Sequence, residues 1–281
     1  MEDGILYIVA TPIGNLGDIT GRALQVLAGA DLICAEDTRH SKHLLSACGI
    51  AATQLLSLHE HNEAQRISLV LERLRSGNSV ALISDAGTPL ISDPGYRLVT
   101  ACHEAGLRVS PVPGPSALTA ALSVAGLPTD RFLFAGFPPA KDSARRQWFG
   151  ELAAREETLV FYESRHRITA SLQAMAEAFG GARRLTLLRE ITKQFETVLH
   201  GTLDEVLARV GADPNQQRGE FVLVVGGAPV QASGDEQARQ LLALLLPDVG
   251  VKRAAEIAAG FLGEKKNRLY KLALAMGQEK S

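Results

Sequence analysis

A chain of 281 residues, 46% apolar but only 5% aromatic, is long enough to bury two modest cores. Its formal net charge of −2 excludes attraction to nucleic acid by bulk charge, so any contact with phosphate must come from local basic patches. The cysteines Cys34, Cys48 and Cys102 form no CxxC pair and are odd in number, which argues against a disulfide scaffold or zinc site and for a reducing, cytoplasmic setting; no apolar run approaches the ~18 residues of a membrane span.

In chain order, "ILYIVA" reads as a strand, followed by a helix over 22–28, the strand "DLICA", and a helix from about Ser41. The strand "TQLLSL", a helix over 64–75, the strand "VALIS" and a helix from Tyr96 come next, then the strand "LRVSPV" and a small-residue helix in "PSALTAALSVAG". Such alternation predicts a parallel α/β domain, over 1–125. The proline pair and charges of "FPPAKDSARR" predict a linker or exposed loop over 138–146. Strands "TLVFYE", "RRLTLLRE", "FETVLHG" and "EFVLVVGG", with helices over 167–179 and 203–210, predict a smaller mixed α/β domain over 126–228, in which Thr202 and Glu205 form a capping box. Three short helices over 233–281, turning at Gly263, resemble a helix-turn-helix appendage. Its Lys252, Arg253, Lys265, Lys266 and Arg268 suit either phosphate contact or a solvated face.

Several loops at strand ends carry chemistry. In "ATPIGNLGDITGRAL", Gly14, Gly17 and Gly21 suggest a loop cradling a nucleotide-like ligand, with Glu36 placed like a ribose-binding acid. The glycine spacing departs from GxGxxG and Pro12 lacks an amide donor, which disfavours a dinucleotide enzyme. "AEDTRHSKHLL" supplies Glu36, Asp37 and Arg39, then His40 and His43 one helical turn apart, where solvent-facing residues are preferred over a metal pair. "SLHEHNEAQR" adds His59, Glu60, His61 and Asn62, so a cleft lined by Glu36, Asp37, Arg39 and His59 is expected. In "LISDAGTPLISDPGYRLV", Gly87, Pro89, Pro94 and Gly95 shape a loop between a strand's carboxyl end and a helix, the edge where α/β sheets bind ligands; Asp93 is a candidate cap for that helix. "SPVPGPSALTAAL" turns sharply at Pro113, Gly114 and Pro115 before Ser116 caps a helix. "FYESRHR" and "LREITKQFE" set Glu163, Arg165, Arg167, Arg189, Glu190 and Lys193 directly after strands, more charge than a bland strand end requires.

Taken in order, "TPIGNLGDIT", "AEDTR", "SDAGTPLISDPG", "PGPSALTAAL", "FYESRHR" and "RE.TK" resemble the tetrapyrrole-methylase superfamily. Within it they are most similar to the branch that methylates the cytidine 2'-hydroxyl of 16S ribosomal RNA in the 30S subunit. The likeness spans about 6–226, and the tail resembles that branch's extra C-terminal domain. It implies an α/β fold of two domains with S-adenosylmethionine in the cleft between them, and a homodimer with no membrane partner. It also implies that Asp85, Ala86, Gly87 and Thr88 lie near the methionine and sulfonium end, with Ser116 and Ala117 opposite. Pro12 would lie in the first cofactor loop, and Tyr162, Arg189 and Glu220 would close the site. Ser84 and Ala86 stand where the superfamily has a glycine and a proline, which weakens a porphyrinoid substrate more than it weakens cofactor binding.

Under that resemblance Glu36, Asp37 and Glu190 are candidate bases, with Arg39 or Arg189 fixing a phosphate or orienting a carboxylate. Arg145, Arg146, Arg165, Arg167 and Lys193 are expected to meet RNA, as are Arg183 and Arg184. The alternatives are a methylase of a tetrapyrrole small molecule and an RNA-binding module that has lost catalysis.

Overall fold

Short apolar runs rich in β-branched residues and leucine become the strands of the first sheet: β1 (Ile5–Val9), β2 (Leu32–Ala35), β3 (Leu55–Ser57), β4 (Val80–Ile83) and β5 (Arg108–Val112). All pair in parallel, in the order β3-β2-β4-β1-β5. Every residue of β2 and β4 is buried, as a parallel sheet covered on both faces requires. Alternate residues divide between the faces. Leu6, Leu32 and Leu82 pack with Val70 and Leu74 of α3 (Glu63–Arg75) and Leu98 of α4 (Tyr96–Glu104), whereas Val9, Ile33 and Ile83 pack with Leu27 of α1 (Gly21–Gly29) and Leu45 of α2 (Thr38–Ala47). The computed structural model describes residues 3–51, 54–59, 62–229 and 233–278. They fall into two compact units, Met1–Gly226 and Gly227–Ser281.

The cap of α4 differs from expectation. Asp93 stands too far before the helix, whose N-cap is Gly95 at φ +126° with no side chain to offer. The buried carboxylate of Glu63 takes that part from another helix, its Oε1 accepting the Leu98 amide at 3.1 Å.

A second sheet contains β6 (Phe132–Gly136), β7 (Thr158–Ser164), β8 (Arg184–Arg189), β9 (Thr197–Thr202) and β10 (Glu220–Val225), in the order β6-β7-β10-β8-β9. Only the β6–β7 pairing in it is parallel. One face is covered by α6 (Asp142–Leu152), α7 (Ile168–Phe179) and α8 (Leu203–Ala212) around Phe149, Phe161 and Phe179. The other receives α5 (Ala117–Val124), whose small Ala121 lets the helix sit close to Val160, Leu188 and Val222. The expected capping box of α8 is present at Thr202 and Glu205.

Two features of this half escaped the sequence reading. "RFLFAG" forms β6, and the supposed linker over 138–146 runs into α6. Its charges are pairs of the helix's first turn, Asp142 with Arg145 at 2.6 Å and with Arg146 at 2.7 Å, while Phe149 anchors the buried side.

The second unit is helical: α9 (Ser233–Leu245), α10 (Val251–Leu262) and α11 (Lys266–Gln278). Alanines 254, 255, 258 and 273 let these helices approach closely around Leu242 and Leu269. Gly263, left-handed at φ +67°, ends α10. Among the described residues no helix is long and apolar enough to cross a membrane.

Candidate active site

A cavity of about 500 Å³, a size usual for small-molecule sites, opens where the carboxyl ends of β1, β2 and β4 face β7 and β10. The first sheet contributes Ile13, Glu36, the run from Asp85 to Thr88, Ser92, Asp93, Ser116 and Ala117. From the second come Phe137, Tyr162, Glu163, Ile191, Lys193 and Glu220.

The loops are tied before any ligand arrives. Thr11 and Gly87 exchange backbone hydrogen bonds at 2.8 and 3.0 Å, and the Thr88 hydroxyl donates to the Pro115 carbonyl at 3.0 Å. Gly87 lies at φ +81°, and a Cβ there would press to 3.3 Å on Ile13, so a side chain would push two cavity loops apart. Leu90, Ser92, Glu190 and Thr192 are left-handed although none is glycine. Each such residue costs about 1–3 kcal/mol, which the surrounding ties must offset, and all four lie in the two loops that border the cavity.

The electrostatics distinguish residues that face the cavity from residues that hold them. Asp85 accepts the Asp37 amide at 3.1 Å. Asp37 itself caps α2 through the Arg39 amide at 2.8 Å, and its bonds with the Arg39 guanidinium hold its carboxyl well below the usual range. Neither Asp37 nor Arg39 lines the cavity, whereas Glu36 does. Burial pushes the Asp93 carboxyl up to about 6, opposed by a hydrogen bond with Ser84 and reinforced by the charge of Asp85. Burial likewise pushes the Tyr162 phenol up to about 12.

Glu163 is settled by Arg167 at 3.0 Å and by the Ser164 amide at 2.8 Å. Burial works against the charge of Glu190, but the Glu220 amide at 2.9 Å and Lys193 at 3.1 Å outweigh it and lower its pKa. Lys193 also reaches Glu220 at 2.6 Å. Among the described lining residues, Lys193 is thus the one lysine or arginine, set against Glu36, Asp85, Asp93, Glu163 and Glu220. The cavity is acidic and suits a ligand carrying positive charge.

Several expectations need correction. Arg189 does not line the cavity: it is buried, donating to the carbonyls of Arg218 at 2.7 Å and Phe195 at 2.8 Å. Glu190 holds β10 and Lys193 rather than facing the cavity. Arg145 is buried against Asp142 and cannot offer its guanidinium to phosphate. Arg167 braces Glu163 and the Pro138 carbonyl, and Lys193 is committed to two carboxylates. Arg146 pairs with Asp142 and Glu177 yet stays partly open to solvent, and Arg165 is exposed beside His166.

Pro12 gives way to Ile13 on the wall. Ser116 occupies the N-cap position of α5 but its hydroxyl makes no capping bond. His59 does not line the cavity, and His40 and His43 are exposed on α2. Glu60 and His61 lie outside the described residues. Phe137, Asp93 and Ile191 were missed as wall residues, because their convergence depends on how the two sheets face each other.

A parallel sheet and a mixed sheet facing each other across an acidic cavity define a two-sheet α/β protein with a site for a small cationic ligand. The chain belongs to the family of tetrapyrrole (corrin/porphyrin) methylases, whose model matches residues 5–207; a second model, the RsmI C-terminal HTH domain, matches 232–277. Among its relatives is ribosomal RNA small subunit methyltransferase I of Escherichia coli O157:H7, 51% identical over 274 residues, 97% of this chain and 96% of that protein. The enzyme of the same name from Xylella fastidiosa strain Temecula1 is 52% identical over 95% of this chain and 98% of its own. Solved structures sharing the fold include uroporphyrin-III-C-methyltransferase from Thermus thermophilus, with a TM-score of 0.56 and 24% identity over 80% of this chain and 95% of that one. The methyltransferase CobJ aligns with a TM-score of 0.58 and 21% identity over 80% and 95% of the two chains.

Proposed function

We propose that this protein transfers a methyl group from S-adenosylmethionine to the ribose 2'-hydroxyl of a cytidine in 16S ribosomal RNA, at the decoding centre of the small subunit. The observation that carries this reading is identity of about half to small-subunit rRNA methyltransferases along nearly the whole chain, helical unit included. Domains over 1–125 and 126–228 form the two walls in this reading, and 233–281 is the appended module. The protein acts as a cytoplasmic homodimer on the 30S subunit, by the same family likeness.

The residues present fit the cofactor, since the Asp85 and Asp93 carboxylates suit a sulfonium and the bare Cα of Gly87 lets the Ile13 and Pro115 loops close around the cavity. Asp85, Ala86, Gly87 and Thr88 would hold it from one side and Ser116 with Ala117 from the other. Pro12 would shape the adjoining loop, Tyr162 and Glu220 would close it, and Arg189 would act from behind by fixing the loops. When bound, S-adenosylmethionine supplies a methyl group activated by the positive sulfur. The chain's own part is then to fix the acceptor hydroxyl in line, which contributes up to ~7–11 kcal/mol in favourable cases, and to receive its proton, worth about 10² to 10⁴ in rate. Glu36 is the base in this reading because it lines the cavity, whereas Asp37, whose carboxylate is paired with Arg39, and Glu190, bonded to the Glu220 amide and Lys193, do not. Arg165 and the open edge of Arg146 serve the RNA backbone.

The test is transfer of labelled methyl to 30S subunits from a strain lacking the gene, followed by nuclease digestion. 2'-O-methylcytidine is the expected product; methylation of a porphyrinoid with none of RNA would overturn the proposal.

A further inference from the structure

β6 pairs with β7 through a register shift between Phe134 and Gly136, and Gly136 turns at φ +70°. Such a bulge re-aims the residues that follow. Gly136 also sits against the Ser92 loop of the first sheet, where an added Cβ would lie 3.9 Å from the Ser92 hydroxyl. The next residue, Phe137, is thereby held at the rim of the cavity. It lines that cavity, yet 52% of it is exposed.

Its ring meets Tyr162 edge to face, with centroids 5.6 Å apart at 68°, and Phe134 braces Tyr162 from its own position at 4.9 Å and 65°. A singly exposed phenylalanine on a surface needs no explanation. This one is part of a three-ring cluster at a cavity mouth, in a chain only 5% aromatic.

The acidic wall decides which part of a nucleotide can come here. Phosphate is repelled by Asp85, Asp93 and Glu36, so the ribose and its neutral base must enter while the backbone stays outside. A neutral planar base gains most from an aromatic face, and single-stranded RNA is commonly held by splaying a base onto such a ring. We infer that Phe137, steadied by Tyr162, is the platform on which the base of the acceptor nucleotide stacks. This inference depends on the reading above that the acceptor is RNA.

The experiment is steady-state methyl transfer to 30S subunits by the full-length enzyme and its Phe137→Ala, Phe137→Leu and Phe137→Tyr variants, with S-adenosylmethionine affinity measured by calorimetry. Loss of one base–aromatic stack should raise KM for the subunit roughly 5- to 150-fold in Phe137→Ala. Phe137→Leu, which fills space without a ring, should resemble Ala, and Phe137→Tyr should resemble the parent. Cofactor affinity and melting temperature should not move.

A Leu variant equal to the parent would show that apolar bulk suffices and overturn the platform. So would an unchanged Ala variant, or a cofactor affinity that weakens in step with KM, which would place the ring on the donor's adenine. Failure of the parent enzyme to methylate RNA would remove the acceptor itself, and is visible before any variant is made.

Discussion

The side chain of Lys193 lies across the α-carbon of Gly14, so close that a Cβ on that glycine would come within 2.3 Å of the lysine Cγ. This contact joins the first loop of the parallel sheet to the β8–β9 connection of the mixed sheet, and the ammonium beyond it is anchored by Glu190 and Glu220. Gly14 also sits at φ +144°, where a side chain is strained whatever the space. Gly14→Ala should therefore destabilise the protein by about 1–2 kcal/mol and weaken cofactor binding. Adding Lys193→Ala should relieve the steric part but not the backbone part, giving a non-additive double mutant in urea unfolding. Strict additivity would show that the contact carries no strain.

Glu63 supports the cavity loop that carries Asp85 to Asp93 from behind, because the helix it caps begins where that loop ends. Glu63→Ala should cost about 1–3 kcal/mol, as for a buried donor left without an acceptor. Denaturant midpoints for Glu63→Ala and Glu63→Gln check this, with Gln, which keeps an acceptor oxygen, losing less.

Asp93 gives two pH slopes of opposite sign. Its carboxyl is raised to about 6 chiefly by burial, so in the folded protein it is neutral below that value and charged above it. A cationic ligand should bind more tightly as pH rises through 6, by roughly tenfold at most between pH 5 and 7, and Asp93→Asn should flatten the curve. The stability contribution runs the other way. The fold favours the neutral form, so stability from this group falls as pH rises from the ordinary carboxyl range through 6. Calorimetric affinity and urea midpoints across the same buffers separate the two effects.

Arg145 and Arg165 should behave as opposites despite their similar settings in sequence. Arg165→Ala should leave stability unchanged and reduce the salt dependence of RNA binding by a slope of about one. Arg145→Ala should leave that slope alone and cost about 1–3 kcal/mol of stability, because its buried guanidinium is bonded to Asp142 and to the Ala140 carbonyl. Filter binding over a salt series and chemical denaturation distinguish them.

The parallel sheet was legible because short apolar runs alternate with helical segments, and β1, β4 and β5 lead into glycine- or proline-marked loops, as in Val80–Ile83 before Asp85 and Gly87. Strand ends located Glu36 and the loops around Gly87 and Ser116, since a strand's carboxyl end can be found without knowing its neighbours, whereas the family resemblance singled out Asp85 to Thr88 as site residues. What could not be read was the outcome of sheets meeting. Arg145 and Arg165 look alike in sequence, but Phe149 and Asp142 pull the first into a helix's buried side while a turn leaves the second in water. Glu190 looks like a free strand-end acid until β10 arrives beside it and its amide claims the carboxylate.

The place of β10 in the mixed sheet has a consequence for the making of the protein. The last strand to be synthesised is the middle one, inserted between β7 and β8. Until a ribosome has passed Val225, the β6–β7 pair and the β8–β9 hairpin have no strand to join them, and one wall of the cavity is missing. A chain that stops at the parallel half therefore lacks the wall that carries Tyr162, Lys193 and Glu220. A message truncated anywhere before β10 produces no weaker enzyme, only an inert one.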